Sequence, residues 1–246
     1  MCLGYAYINQ QPIYIYIKGN KPQQAFTAKQ RVKTGRALQP TGMKVIFAFL
    51  REEELVNAPY REIADRAAVS LGTVGWVIGD LIAHGFLLEG FNKNQRKLAE
   101  FDLLLDQWVE AYPHKLKRKY EIGTFTTGNP DWWKAINPEK FDAEWGGEIA
   151  AAKYTKYLNP QTGLIYIDKT NMAGLLQTAR LIKVEPHKRQ DILIDLVEPF
   201  WKKASNDGKI KHAGLVHPII AYADLIETGD PRNLDAANKL REKYLR

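Results

Sequence analysis

An α+β fold is predicted for this 246-residue chain by three observations. Two short helical patterns joined by a tight turn and followed by an extended run occupy Pro59 to Leu88. Helices and strands alternate after residue 98. Two tyrosine-rich β segments open the chain. Boundaries at 1–40, 41–97 and 98–246 follow: a β-hairpin with a basic arm, a two-helix unit with a trailing hairpin, and a mixed α/β half.

The opening segments, Tyr5 to Asn9 and Ile13 to Gly19, read as strands around Gln10-Gln11-Pro12. An isolated hairpin is marginal in water, so these strands are expected to dock elsewhere. Next comes a charge asymmetry. Residues 1–40 hold Lys18, Lys21, Lys29, Arg31, Lys33 and Arg36 with no acidic residue, whereas 41–97 has seven basic and seven acidic side chains. Most of the formal net charge of +7 therefore lies ahead of the two-helix unit. The segment reads either as an arm along phosphates or a minor groove, or as a solvated linker.

In the two-helix unit, Asn57 is the expected cap of the first helix, with Pro59 in its first turn, where a missing amide hydrogen costs nothing. Ile63, Ala64 and Ala67 form its apolar face, and the small Ala64 permits a steep helix crossing. Ala68-Val69-Ser70 supplies the turn, with Val69 as an apolar plug and Ser70 as the next N-cap. Val74, Val77, Ile78 and Leu81 form the second helix's buried stripe. Gly85 suits a left-handed cap, Phe86-Leu87-Leu88 begins a strand, and Asn92 to Lys97 is a polar turn. This is the layout of a winged helix-turn-helix, which predicts double-stranded DNA as partner and, as in many such proteins, a homodimer on two half-sites.

The second helix, Leu71 to Ala83, carries no Arg, Lys, Asn or Gln to read base edges. Its expected outward positions are Gly72, Thr73, Gly75, Trp76, Gly79 and Asp80. Ser70 and Thr73 are expected to meet phosphate at the helix N-terminus and Trp76 to press on the groove wall. Arg61, Lys93, Arg96 and Lys97, with Lys29, Arg31, Lys33 and Arg36 in the arm, would supply backbone affinity. The alternative is a protein-interaction module that uses the two-helix unit as a scaffold and receives a partner on the glycine-rich face.

Beyond it, Glu100 to Ala111 reads as a linking helix. Lys115 to Lys119 is a basic turn before the strand Tyr120 to Thr126. A helix over Phe141 to Leu158, strands over Leu164 to Asp168, Leu181 to Glu185 and Asp191 to Leu196, a short helix over Met172 to Ala179, and closing helices over Val216 to Glu227 and Leu234 to Leu245 suggest a small mixed sheet covered by helices. His217-Pro218 and Asp230-Pro231-Arg232-Asn233 read as helix openings, with Asn233 as the final cap.

Only one cysteine is present, Cys2, which leaves no internal disulfide or cysteine-based zinc cluster and suits a reducing cytoplasm. No apolar run spans a bilayer and no cleavable signal is evident, so a cytoplasmic protein without membrane partner is expected. No phosphate loop, His-Glu-x-x-His or Gly-x-Ser-x-Gly occurs, and no catalytic residue, metal or cofactor is expected. The enzymatic alternative is a metal-dependent nuclease or nucleotidyltransferase using Glu144 and Glu148, one helical turn apart, while His217, Asp224, Asp230 and Arg232 cluster late in the chain.

Three stretches in combination, AFLREEELVNAPYREIADRAAVSLGTVGWVIGDLIAHGFLL, EWGGEIAAAKYTKYLNPQTGLIYI and HPIIAYADLIETGDPRNLDAANKLREKYL, resemble the bacterial AbiEi antitoxins of type IV toxin–antitoxin systems from about Tyr5 onward. The resemblance implies a winged-helix transcriptional regulator. Such a protein represses its own operon and counteracts a nucleotidyltransferase-like toxin, with which it need not form a stable complex. Relatives begin further upstream, so part of the family's N-terminal segment is expected to be missing here. Gly79 stands where a basic residue would be a natural phosphate contact.

Overall fold

The computed structural model describes residues 4–8, 11–15, 35–90, 95–184, 192–202 and 214–245. By compactness the chain divides into Met1–Thr34 and Gly35–Arg246. In the first unit, β1 (Gly4–Ile8) pairs antiparallel with β2 (Gln11–Ile15), with Tyr7 opposite Pro12. Pro12 thus lies in the second strand and not in the turn.

The main unit begins with α1 (Pro40–Arg51), whose Pro40 occupies a first-turn position that needs no amide hydrogen. Met43, Val45, Ile46, Phe47 and Phe49 are buried along it. A Cβ at Gly42 would lie 2.3 Å from the Ala37 carbonyl oxygen, so only glycine lets the preceding chain fold back so closely. A 3₁₀ turn at Glu53–Asn57 leads to α2 (Tyr60–Ala67), and α3 (Leu71–Ala83) leaves at 101° to it. Ala68 makes that corner in the left-handed region, φ 50° and ψ 53°, while the small, buried Ala64 and Ala67 face the crossing. Val74, Val77, Ile78 and Leu81 are buried on α3, each contributing about 1.5–3 kcal/mol of transfer free energy.

Gly85, at φ 75°, ends α3: its amide donates to Ile82 O and that of Phe86 to Leu81 O, the paired bonds that satisfy a helix C-terminus. Two short strands follow, β3 (Leu87–Glu89) and β4 (Arg96–Leu98), antiparallel with Leu87 opposite Leu98. Asn57 does not cap α2. Its Oδ1 accepts from the Arg96 amide at 2.6 Å and its Nδ2 donates to Arg96 O at 2.9 Å, so it clamps β4 to the 3₁₀ turn.

The boundary expected near residue 97 shows no break in packing. The helix α4 (Phe101–Lys115) packs against α1 and, further on, against α7 (Pro218–Thr228). Its Trp108 lies stacked between Phe47 and Tyr112, at 5.5 Å and 4.8 Å between ring centroids. Its indole nitrogen donates to Met43 O at 2.8 Å.

A five-stranded sheet follows, built from β5 (Glu121–Thr126), β6 (Glu144–Trp145), β7 (Gly163–Tyr166), β8 (Ile182–Lys183) and β9 (Ile194–Val197). The order is β6-β7-β9-β5-β8; β7 and β9 run parallel, and the other neighbours antiparallel. Between these strands lie α5 (Gly147–Thr155) and α6 (Met172–Ala179), and the described chain closes with α7 and α8 (Pro231–Tyr244). α5 packs on β7 on one side and on α7 and α8 on the other.

Two local expectations are corrected. The continuous helix expected over 141–158 is a 3₁₀ turn, β6 and α5. A Cβ at Gly146 would meet the Tyr166 ring at 2.6 Å, and Gly147 takes φ +50°, so the Gly-Gly pair bends the chain beneath a buried tyrosine. The cap of α8 is Asp230, whose Oδ1 accepts from the amides of Arg232 and Asn233. His217 opens α7 with its Nδ1 accepting from the Ile219 amide.

Candidate nucleic-acid interface

On α3 the outward surface is narrower than the sequence suggested. Thr73 is buried, at 8% exposure, and its hydroxyl pairs with Ser70 Oγ at 2.9 Å. Ser70 holds the N-cap position without capping a backbone amide. Trp76 is half-buried against the core. Thr73 is therefore corrected from a reading position to a packing position, while Trp76 keeps only part of its surface outward. Thr73 lies three residues before Trp76 and four before the stripe member Val77, so both fall along one edge of the buried stripe, close enough in helical phase to turn inward.

What remains outward is Leu71, 53% exposed, with Gly72 and Gly79. A Cβ added at Gly72 or Gly79 would meet nothing within 4 Å, and one at Gly75 would touch only the Tyr60 ring at 3.7 Å. No neighbour within the unit requires these glycines. Each weakens the helix interior by roughly 0.5–1 kcal/mol relative to alanine.

Asp80 is turned to the start of the main unit. Its Oδ2 accepts from the Ala37 amide at 2.8 Å, and its Oδ1 lies 3.5 Å from His84 Nδ1.

Arg96 is the clearest correction. It is 9% exposed, its Nη1 donates to Val56 O at 2.8 Å, and its Nη2 donates to the Tyr60 hydroxyl at 3.4 Å. Its guanidinium lies 5.2 Å from the centre of the Tyr60 ring. The side chain is spent on holding β4 against the residues before α2, and its Nε has no partner among the described residues. Replacing it with methionine should cost about 1–3 kcal/mol by orphaning the Val56 carbonyl, a loss that urea denaturation would register without any DNA present.

Of the other expected contacts, Arg36, Arg61 and Lys97 are exposed, ahead of α1, in the first turn of α2 and on β4. Lys29, Arg31, Lys33 and Lys93 lie outside the described residues. Sequence reasoning missed Asn57 and Tyr60 as the groups that fix β4. An aromatic residue just after a turn proline was the one available signal.

The carboxylates weighed for catalysis lie on different elements. Glu144 belongs to β6 and Glu148 to α5, and Glu144 accepts from the Trp201 indole at 3.2 Å. Glu148 is buried, with Oε1 taking bonds from Arg232 and Asn233 and Oε2 from the amides of Gln161 and Thr162. Its acceptor sites are filled by the chain itself, so the paired-carboxylate alternative loses its geometry. Among the described residues no group of three or more His, Cys, Asp or Glu side chains is placed to hold a metal.

A second buried cluster centres on Asp224. Its Oδ1 accepts from Lys117 Nζ at 2.9 Å and from the Tyr166 hydroxyl at 2.8 Å; its Oδ2 accepts from the Gly147 amide at 3.2 Å. Since the Tyr166 proton goes to Asp224, the Tyr112 hydroxyl, 2.8 Å away, donates to Tyr166. Burial pushes both tyrosines well above their ordinary values. Burial alone would lower Lys117, but the charges of Asp224 and Glu227, with hydrogen bonds to both, hold its ammonium above the ordinary value. This cluster joins α4, β7, α5 and α7, with Asp224, Tyr112 and Tyr166 buried and Lys117 reaching from them to the exposed Glu227, an arrangement suited to fastening a core rather than to turnover.

Among the described residues no single helix is long and apolar enough to cross a membrane. No curated protein and no solved structure matches the chain. A family model described as "Transcriptional regulator, AbiEi antitoxin, Type IV TA system" matches residues 97–246. The match begins inside β4, at Lys97, and covers the α4, sheet and closing-helix region, a shorter span than the resemblance from about Tyr5 implied. Because it takes in more than half of the sequence, the chain belongs to the AbiEi family of type IV toxin–antitoxin antitoxins, a family of transcriptional regulators.

Proposed function

We propose that α1 to β4 form a winged helix-turn-helix that binds double-stranded DNA, and that the protein represses its own operon as a non-catalytic, cytoplasmic antitoxin. Its functional partner would be a nucleotidyltransferase-like toxin, with no stable complex between the two required, and a homodimer would engage two half-sites. The observation that carries this reading is the bare outer face of α3 beside a 101° helix corner. Glycine without an internal reason at Gly72 and Gly79 fits the close approach of another backbone. Affinity would come from phosphate contacts by Arg36, Arg61, Lys97 and the Ser70 end of α3, joined by Lys29, Arg31, Lys33 and Lys93. Specificity would then rest on groove shape more than on base edges.

The test is fluorescence anisotropy on duplex DNA taken from upstream of the protein's own reading frame, at salt from about 50 to 200 mM. Binding should weaken steeply with salt, and Arg61→Gln should reduce the log–log slope by about one. Gly79→Ala should raise stability by about 0.5–1 kcal/mol yet weaken DNA binding, because the added methyl group intrudes on the contact. Absent binding, or binding indifferent to salt and to Gly79→Ala, would overturn the reading and turn attention to a protein partner for the α3 face.

A further inference from the structure

A cleft of about 230 Å³ opens between α1, the second half of α2 and the Phe200–Lys202 segment that follows β9. Its inner wall is aromatic. Phe47 and Phe200 are buried, with ring centroids 5.2 Å apart. The half-buried Trp201 sits edge-on to Phe200 at 4.9 Å and tilted to Phe47 at 6.0 Å. The rim is charged and unbalanced: Lys44, Arg51, Arg66 and Lys202 stand against Glu52 and Asp65.

Two surface ion pairs close part of that rim, Arg66 to Glu52 at 3.6 Å and Lys202 to Asp65 at 2.6 Å. All four side chains are well exposed, between 41% and 74%, and exposed pairs of this kind are weak and readily exchanged. Lys44 reaches over Tyr120, with its Nζ 5.3 Å from the ring centre. An apolar aromatic wall favours a flat ring, and a cationic rim favours an anion of more than one charge. The volume lies below the usual range for small-ligand sites, about 300–1,000 Å³, which limits the occupant to one small molecule partly open to solvent.

We propose that this cleft binds a nucleoside monophosphate, its base against Trp201 and its phosphate among Lys44, Arg66 and Lys202. The phosphate takes Lys202 from Asp65, whose carboxylate returns to water at little cost because its side chain is already 74% exposed. The ligand touches α1, α2 and the Phe200–Lys202 segment at once, so its occupancy braces the two-helix corner against the sheet. This proposal does not rest on DNA binding and stands or falls separately from it.

The experiment is titration of the full chain with AMP, GMP, CMP and UMP, followed by tryptophan fluorescence and isothermal titration calorimetry. At least one should bind saturably, and Lys202→Glu and Arg66→Gln should each weaken that binding by about tenfold or more with melting temperature unchanged. The matching nucleoside and inorganic phosphate, each tested alone, should bind at least about tenfold more weakly than the monophosphate. Failure of all four to saturate below about 5 mM would overturn the proposal. So would undiminished binding by both variants, or inorganic phosphate binding as tightly as the nucleotide.

Discussion

Lys117→Met is expected to destabilise the protein by about 3–5 kcal/mol near neutral pH. The Lys117 side chain is 11% exposed and Asp224 1%, so the substitution leaves a carboxylate in the interior with only the Tyr166 hydroxyl and the Gly147 amide as donors. Its pH dependence identifies the cause. Burial pushes the Asp224 carboxyl above its ordinary value, and without Lys117 nothing of opposite charge resists that push. A carboxyl whose folded value is raised contributes stability at low pH and loses it as pH rises through the folded value. The gap between variant and wild type should therefore narrow as pH falls into the carboxylate range and widen above it. In the wild type the raised lysine works in the opposite quarter. Its contribution is complete below the unfolded-chain lysine value, near 10.4, and is lost only at higher pH. Urea midpoints at several pH values check both statements. A loss independent of pH would mean that lost packing, not the stranded charge, is responsible.

Trp108→Ala is expected to cost about 3–5 kcal/mol and to change how the protein unfolds. Trp108 is fully buried, stacks on Phe47 from α1 and on Tyr112 from α4, and donates to the Met43 carbonyl. Removing it empties the centre of the junction between the two-helix region and the sheet and strands a buried carbonyl. Trp108→Phe should cost less, since it keeps most of the ring contact and loses the hydrogen bond. In the alanine variant, far-UV circular dichroism and tryptophan fluorescence should report different urea midpoints, whereas in the wild type they should coincide. Coincident midpoints in the variant would show that other contacts are enough to couple the two regions.

Much of the fold was legible because local chemistry and final position agree. The α2 face of Ile63, Ala64 and Ala67, the α3 stripe, the left-handed Gly85 and the helix Met172–Ala179 all follow from spacing and cap chemistry. The failures share a physical origin. Arg96 looked like a solvated wing cation because charge says nothing of burial, and its partners Val56 and Tyr60 lie 40 and 36 positions away in sequence. Glu144 and Glu148 looked paired because helical spacing was assumed across Gly146-Gly147. There the close approach of Tyr166 and a positive φ break the helix. Thr73 looked outward because a polar residue is compatible with either side of a stripe edge. Its Ser70 partner, three residues away, was the clue at hand.

The sharing of α4 between α1 and α7 has a practical corollary. The stretch recognised as AbiEi starts at Lys97, a natural place to trim an expression clone. A fragment cut there would keep Trp108 and Phe200 but lose Phe47, their common aromatic neighbour. Freshly bared rings of that size invite aggregation, so the recognised stretch is a label on an indivisible body, not a portable module.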